Sequence, residues 1–273
     1  MKNYILEKFR ELAFKNGIEF TNDNSKIFEK EFLKKLDKNP LKILEETNLK
    51  EFDLLFERYL NLKDNSNQFK KENKWIEKLL EKGNVYIVGG FVRDILAGLK
   101  PKDIDLVTNL KPNEIVDILK DEDIKLDLVG EHFGVIMIKA KESFEIATFR
   151  KDVYNKSKGL GADEVNFGNL EDDWQRRDFT INALYFDLKT NIIIDSSKRG
   201  IRHCLNKEFS FIGKPEDRIN EDALRVIRVY KFIKKGFKPI KGTLEAARRN
   251  FDYMMKKANP ERVRTEFEKL LKI

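Results

Sequence analysis

From Tyr4 to about Leu80 the apolar side chains recur at helical spacing, as in Leu33, Leu36, Leu41 and Leu44, then Phe52, Leu55 and Tyr59. This period predicts helices, with turns at Asn16-Gly17 and Asn39-Pro40. The polar run at 63–67, LysAspAsnSerAsn, reads as a linker before a last amphipathic helix around Trp75 to Leu80. At Asn84 the pattern changes to short β-like runs: VYIV at 85–88, DIDLVT at 103–108, GVIMIKA at 134–140, FEIATF at 144–149 and INALYFD at 181–187. Helical stretches, FVRDILAG and NEIVDILK, lie between them. After roughly Pro215 the helical period returns and runs to Ile273, predicting an all-helical C-terminal third.

The chain thus divides into three parts: a helical domain at 1–82, an α+β domain on one small mixed sheet at 83–213, and a helical segment at 214–273. With 41% hydrophobic residues and 21 phenylalanines among 273, the chain can bury a real core. Its 54 Lys and Arg exceed its 47 Asp and Glu by seven charges, which favours phosphate-rich partners. One cysteine, Cys204, excludes a disulfide framework and a thiolate zinc site within the chain. The first residues lack a signal-peptide core, and no run of about 18 apolar residues occurs. The expectation is a cytoplasmic protein without a membrane span.

The chemistry concentrates in GGFVRDILAGLKPKDIDLVT, residues 89–108. On a strand, side chains two apart share a face, so Asp103 and Asp105 are expected to project together, with Ile104 and Leu106 opposite. Two carboxylates that close repel unless a hard divalent cation lies between them. A lone Asp-x-Asp is equally an exposed strand end; the preceding Gly89-Gly90 changes the balance. Glycines between a strand and a helix leave backbone N–H groups bare at the positive end of the helix dipole, which suits a triphosphate. Arg93 and Asp94, on the first turns of that helix, pair a phosphate-reaching guanidinium with a carboxylate able to orient it, or form a surface ion pair.

These residues resemble the class II CCA-adding enzymes and bacterial poly(A) polymerases, a branch of the polymerase β-like nucleotidyltransferases, through ordered motifs over about residues 84–273. The resemblance implies a polymerase β-like head with an N-terminal helical domain before it and a helical neck after it. It assigns two Mg²⁺ to Asp103 and Asp105. Glu145, on FEIATFR beyond EHFGVIMI, is the candidate third carboxylate, or a solvent-facing residue of an alternating strand. DWQRRDFTINAL at 173–184 is similar to the motif that contacts ribose and triphosphate, which points to Arg177 and Asp178, with Asn182 in support. NEDALRVIRVYKF at 220–232 looks like the helix whose side chains stand in for a template. There Asp222 and Arg225 are expected on one helical face, the carboxylate accepting from an exocyclic amine and the guanidinium donating to a ring nitrogen. Glu221 and Arg228 are expected to brace that helix, Arg228 also reaching phosphate. In NPERVRTEFEKLL at 259–271, Arg262 and Glu266 form an expected i,i+4 pair.

The implied activity is addition of C or A, or both, from CTP or ATP to the 3′ end of tRNA. Poly(A) synthesis, a CC- or A-adding specialist, or a lapsed nucleotide- or RNA-binding module are the alternatives. Three features depart from the family. About 80 residues precede the glycine motif, and the helical regions that hold tRNA do not follow the last motif. The expectation is that a further C-terminal domain, a second subunit, or N-terminal lysines such as Lys30 and Lys34 hold the RNA. The segment at 151–167, expected to be flexible, lacks the family's arginine-rich centre.

Overall fold

A computed structural model of the chain describes residues 49–154 and 159–272. The helices anticipated before residue 49 lie outside the described residues. Compactness divides the chain between Glu57 and Arg58, and the sheet and every site residue belong to the second unit, Arg58–Ile273.

The first helix, α1 (Leu49–Glu72), runs straight through the stretch expected to be a linker. Its polar run is the solvent side of a helix whose other side buries Leu62, Ser66 and Phe69 at spacings of four and three, with Ser66 Oγ donating to the Leu62 carbonyl at 2.8 Å. Next come α2 (Trp75–Lys82), β1 (Val85–Val88), α3 (Gly90–Leu96), β2 (Asp105–Thr108), α4 (Pro112–Leu119) and β3 (Lys125–Asp127). A 3₁₀ turn at Glu131–Phe133 leads into β4 (Val135–Lys139) and β5 (Ser143–Thr148). The segment expected to be flexible contains a hairpin, β6 (Arg150–Val153) with β7 (Glu164–Phe167), whose connection at 155–158 lies outside the described residues. Then come α5 (Leu170–Arg176), a 3₁₀ turn at Thr180–Asn182, β8 (Leu184–Asp187), β9 (Ile193–Asp195), α6 (Gly200–Leu205) and β10 (Glu208–Phe209). The C-terminal part holds α7 (Pro215–Glu221), α8 (Arg225–Lys234), β11 (Lys238–Pro239), α9 (Thr243–Arg249), α10 (Phe251–Lys257) and α11 (Pro260–Leu271). It is not wholly helical: β11 pairs in parallel with β10.

One seven-stranded sheet organises these elements in the order β3-β4-β5-β2-β1-β8-β9, mixed because β2 and β5 are parallel and the other pairs antiparallel. The fold is α+β, as expected, on a larger sheet. One face buries Leu106, Ile136, Ile138, Phe144 and Ile146, and here Phe144 meets Phe69 and Trp75 with ring centroids 5.2 and 5.9 Å away, joining α1 and α2 to the sheet. The other face carries a smaller cluster of Tyr86, Val88, Val107, Phe149 and Tyr185, partly covered by Trp174 of α5. The rest of that second face is open. A third cluster, Phe179, Phe209, Phe211 and Phe232, packs α8 against the end of the head region.

Candidate functional site

The open face is where the sequence motifs converge. β1 ends at Val88, and Gly89 turns the chain at φ 69°, a left-handed conformation that favours glycine, before α3 begins. Val88 is the register partner of Asp105 on one side, and Asp105 is the register partner of Glu145 on the other. The three positions form one row across adjacent strands, with the glycine turn at its end. Asp103 lies just before β2 rather than on it, exposed, so the strand alternation argument covers Asp105 alone. Leu106 is buried on the opposite face, as expected.

The electrostatics of this row are unbalanced. Protein packed around the Asp105 carboxylate, with the negative charges of Glu145 and Asp103 beside it, raises its pKa to about 6, although its rim stays open to solvent. Arg177 and Arg93 oppose that rise without cancelling it. Among the described residues, no three or more His, Cys, Asp and Glu side chains close into a metal cage. Asp105 nevertheless feels the charges of Glu145 and Asp103, carboxylates short of positive charge, which is the chemistry that fits a hard divalent cation.

Two arginines, Arg93 buried and Arg177 partly buried, flank the glycine turn. Arg93 is no surface residue: its Nε donates to Asp94 Oδ1 at 2.7 Å, its Nη1 donates to Asn182 Oδ1 at 2.7 Å, and its guanidinium stacks 5.1 Å from the Phe232 ring centre. Arg177 sends Nη2 to Asp173 Oδ2 at 2.8 Å and Nε to the Tyr185 hydroxyl at 2.9 Å. A Cβ placed on Gly89 would come within 3.8 Å of Arg177 Nη1, and one on Gly90 within 3.6 Å of Arg93 Nη2. Both cations therefore lie against the turn.

Asp173, which sequence reasoning passed over, is the anchor of this cluster. It is fully buried, its Oδ1 takes Arg176 at 2.7 and 2.9 Å, and its Oδ2 takes Arg177 and the Tyr185 hydroxyl, the latter donating at 2.7 Å. Burial alone would raise its pKa, but the two guanidiniums and the hydroxyl outweigh it and hold Asp173 at about 2. The signal was present: Asp173 and Arg176 stand at i and i+3 on one helix with Arg177 following at i+4, and the helix is capped by Asn169, whose side chain accepts from Asp172 N at 3.1 Å.

Asp178 accepts from Asn182 Nδ2 at 3.0 Å and pairs with Arg228 Nη2 at 2.8 Å, and these partners keep its carboxyl below the usual range despite burial. Arg228 is thus engaged with Asp178 rather than standing free for phosphate.

The structure does not place Asp222 and Arg225 on one helical face. α7 ends at Glu221, Asp222 is extended at φ −143° and ψ 106°, and α8 starts at Arg225. The apolar period continues through Ala223 and Leu224, both buried, which hides this break from the sequence. Asp222 bridges to Leu160 of the segment before β7, and its Oδ2 lies 3.5 Å from Arg262. Arg225 is buried, with Nη1 donating to Glu221 at 2.6 Å and to the Arg218 carbonyl at 2.9 Å, and Nη2 donating to the Arg176 carbonyl at 2.7 Å. It ties the α7–α8 break to the end of α5, one residue before Arg177. Nor do Arg262 and Glu266 pair: Arg262 donates to the Leu160 carbonyl at 2.9 Å, and Glu266 takes Lys269 and Lys231.

With this geometry in place, the match of residues 85–209 to the poly A polymerase head domain family is decisive. Residues 85–209 match the model of that head-domain family. The chain is 36% identical over 207 residues to a CCA-adding enzyme of Streptococcus pyogenes, covering 75% of this chain and 50% of that protein. It is 34% identical over 207 residues to poly(A) polymerase I of Haemophilus influenzae, covering 72% and 45%. A crystal structure of the Bacillus stearothermophilus CCA-adding enzyme in complex with CTP superposes with a TM-score of 0.64 at 32% identity, over 74% of this chain and 48% of that one. A tRNA nucleotidyltransferase complexed with a primer tRNA and an incoming ATP analog superposes with a TM-score of 0.57 at 26% identity, over 74% and 55%. The chain spans about half the length of the curated relatives it matches. The head domain accounts for the glycine turn, the carboxylate row and the Asp173 cluster, while α8 and its partners lie beyond its end. No helix among the described residues is long and apolar enough to cross a membrane.

Proposed function

We propose that this chain is a template-independent RNA nucleotidyltransferase that adds C or A, or both, from CTP or ATP to the 3′ end of tRNA. The single observation that carries the reading is the row Val88, Asp105, Glu145, with its under-neutralised carboxylates beside a glycine turn flanked by two arginines. The relatives support it, since their names include CCA-adding enzymes and their structures include complexes with CTP and with a primer tRNA.

In this reading Asp103 and Asp105 hold two Mg²⁺, with Glu145 as the third carboxylate. Bound there, the metals would supply Lewis acidity to the triphosphate and lower the pKa of the RNA 3′-hydroxyl. The Gly89 N–H is taken by the Leu184 carbonyl at 3.1 Å, so the Gly90 N–H and the guanidiniums of Arg93 and Arg177 hold the phosphates, whose charge spreads over several oxygens during transfer. Asp178 and Asn182 set the ribose side of the pocket, with Arg228 held against Asp178. Asp222 and Arg225 choose the base: cytosine and adenine each offer an amino donor beside an unprotonated ring nitrogen, whereas uracil and guanine offer the reverse. Their common support is the α7–α8 break, where Arg225 N donates to the Asp222 carbonyl at 3.1 Å, near the Arg176–Arg177 corner. Further chain or a second subunit would hold the body of the tRNA.

The test is incubation with tRNA lacking its 3′ end, Mg²⁺ and each labelled nucleoside triphosphate in turn. Incorporation of C, A or both supports the reading and names the specialist; long A tracts on any RNA would favour poly(A) synthesis, the activity named by the Haemophilus influenzae relative. No incorporation of any nucleotide would reject it.

A further inference from the structure

Beyond the β4 end of the carboxylate row lies an exposed aromatic patch. Register partners place Asp105, Glu145 and Met137 in one row, and Val107, Ala147 and Val135 in the next, all on the face that carries Asp105. Adjacent strands lie about 4.8 Å apart, so Met137 is about 10 Å from Asp105. Just beyond Val135 stand Phe133, 52% exposed, and Phe167, 45% exposed. The Phe167 ring lies over Gly134, where an added Cβ would come 2.8 Å from Cε1. Arg150, the register partner of Phe167, donates from Nη1 to the Phe133 carbonyl at 2.6 Å. It thereby holds the two phenylalanines to one site.

Cationic groups line the way back to the glycine turn. Arg150 pairs with Asp152 at 3.2 Å, Asp152 with Arg176 at 3.7 Å, and Arg176 shares Asp173 with Arg177. Two exposed phenyl rings beside Arg150, linked by this chain of ion pairs to the arginine at the glycine turn, fit unpaired nucleotides: bases stack on the rings and the backbone follows the cations. Direction agrees as well. In-line displacement sets the attacking hydroxyl opposite the leaving pyrophosphate. The phosphate-holding turn lies on the β1 side of Asp105, so the hydroxyl arrives from the β5–β4 side, where the rings are.

We infer that Phe133 and Phe167, with Arg150, form a stacking platform for the unpaired nucleotides that precede the reacting 3′ end of the RNA. This rests on the nucleotidyl-transfer reading, but binding and chemistry are measured separately.

The experiment uses the full chain with an RNA hairpin ending in two unpaired nucleotides, the terminal one 2-aminopurine, and follows both quenching of its fluorescence and anisotropy. Wild type is expected to change the 2-aminopurine emission on binding. Phe133→Ala with Phe167→Ala is expected to abolish that change and weaken RNA binding about tenfold. KM for the RNA should rise accordingly, with KM for the nucleotide unchanged. Phe167→Trp, which keeps a stacking face, restores binding and guards against a folding defect in the double variant. Unchanged RNA affinity in a folded double variant overturns the platform. So does concentration-dependent self-association of wild type that the double variant lacks while RNA affinity is kept, because the patch would then be a protein contact. Ring-dependent RNA binding without nucleotide incorporation would retain the platform and reject the transfer reading.

Discussion

Asp105 and Asp173 are the same side chain in opposite settings. Asp173 is fully buried, yet two arginines and a tyrosine hydroxyl hold its pKa at about 2. Asp105 keeps an open rim, yet its surroundings and two neighbouring carboxylates raise it to about 6. Burial alone would order them the other way. What decides is the charge the fold has arranged nearby: Asp173 is neutralised by two arginines, whereas Asp105 sits with two further carboxylates whose charge Arg93 and Arg177 do not offset.

The largest expected effect is on chemistry. Asp103→Ala or Asp105→Ala should lower nucleotide incorporation about a thousandfold, the equivalent of several kcal/mol of lost charge stabilisation, while circular dichroism and melting show an intact fold. Turnover within tenfold of wild type would remove the metal assignment. Asp173→Asn should act on stability, costing about 3 kcal/mol in denaturant unfolding because it leaves the partly buried Arg177 and Arg176 with a neutral, fully buried partner.

Acid separates the two carboxylates further. The Asp173 pKa is depressed in the folded state, so its stabilising contribution is present above the ordinary value of 3.8 and is lost as pH falls toward about 2. A melting series from pH 5 to pH 2 should show wild type losing about 2 kcal/mol that Asp173→Asn does not lose. Asp105 has the opposite sign: its raised pKa means the charged form is disfavoured in the fold, so Asp105→Asn should raise Tm at pH 7. Smaller still, Arg177→Lys should raise the KM for nucleotide about tenfold, since one ammonium cannot serve Asp173, Tyr185 and a phosphate together. At the bottom of the scale, the exposed Arg264–Glu268 pair is a control: Arg264→Ala should change stability by less than about 0.5 kcal/mol.

The legible features were those written in local pattern. Gly89-Gly90, the strand expected at 103–108, which begins at Asp105, Glu145 beside it and the Arg176-Arg177 pair are short-range signals, and the fold gathers them around the glycine turn. Features set by distant partners were not legible. The 63–67 run looked like a linker because its polar residues face water, while its one buried polar residue, Ser66, satisfies itself on the helix backbone. The break at Asp222 was masked because Ala223 and Leu224 keep the apolar period while their burial comes from tertiary packing. The β6–β7 hairpin pairs Lys151 with Asn166, two residues depleted in strands, so only the pairing itself reveals it. Asp173 went unread because a carboxylate on a helix surface is ordinary until its face is known to be buried.

The most direct test puts Asp105→Asn and Asp173→Asn side by side, measuring Tm and single-turnover incorporation of labelled CTP and ATP into 3′-truncated tRNA at saturating nucleotide. Asp105→Asn should melt higher than wild type and incorporate nothing, while Asp173→Asn should melt lower and still incorporate in its folded fraction. An Asp105→Asn protein that incorporates nucleotide at the wild-type rate would contradict the assignment of the reaction to this carboxylate row.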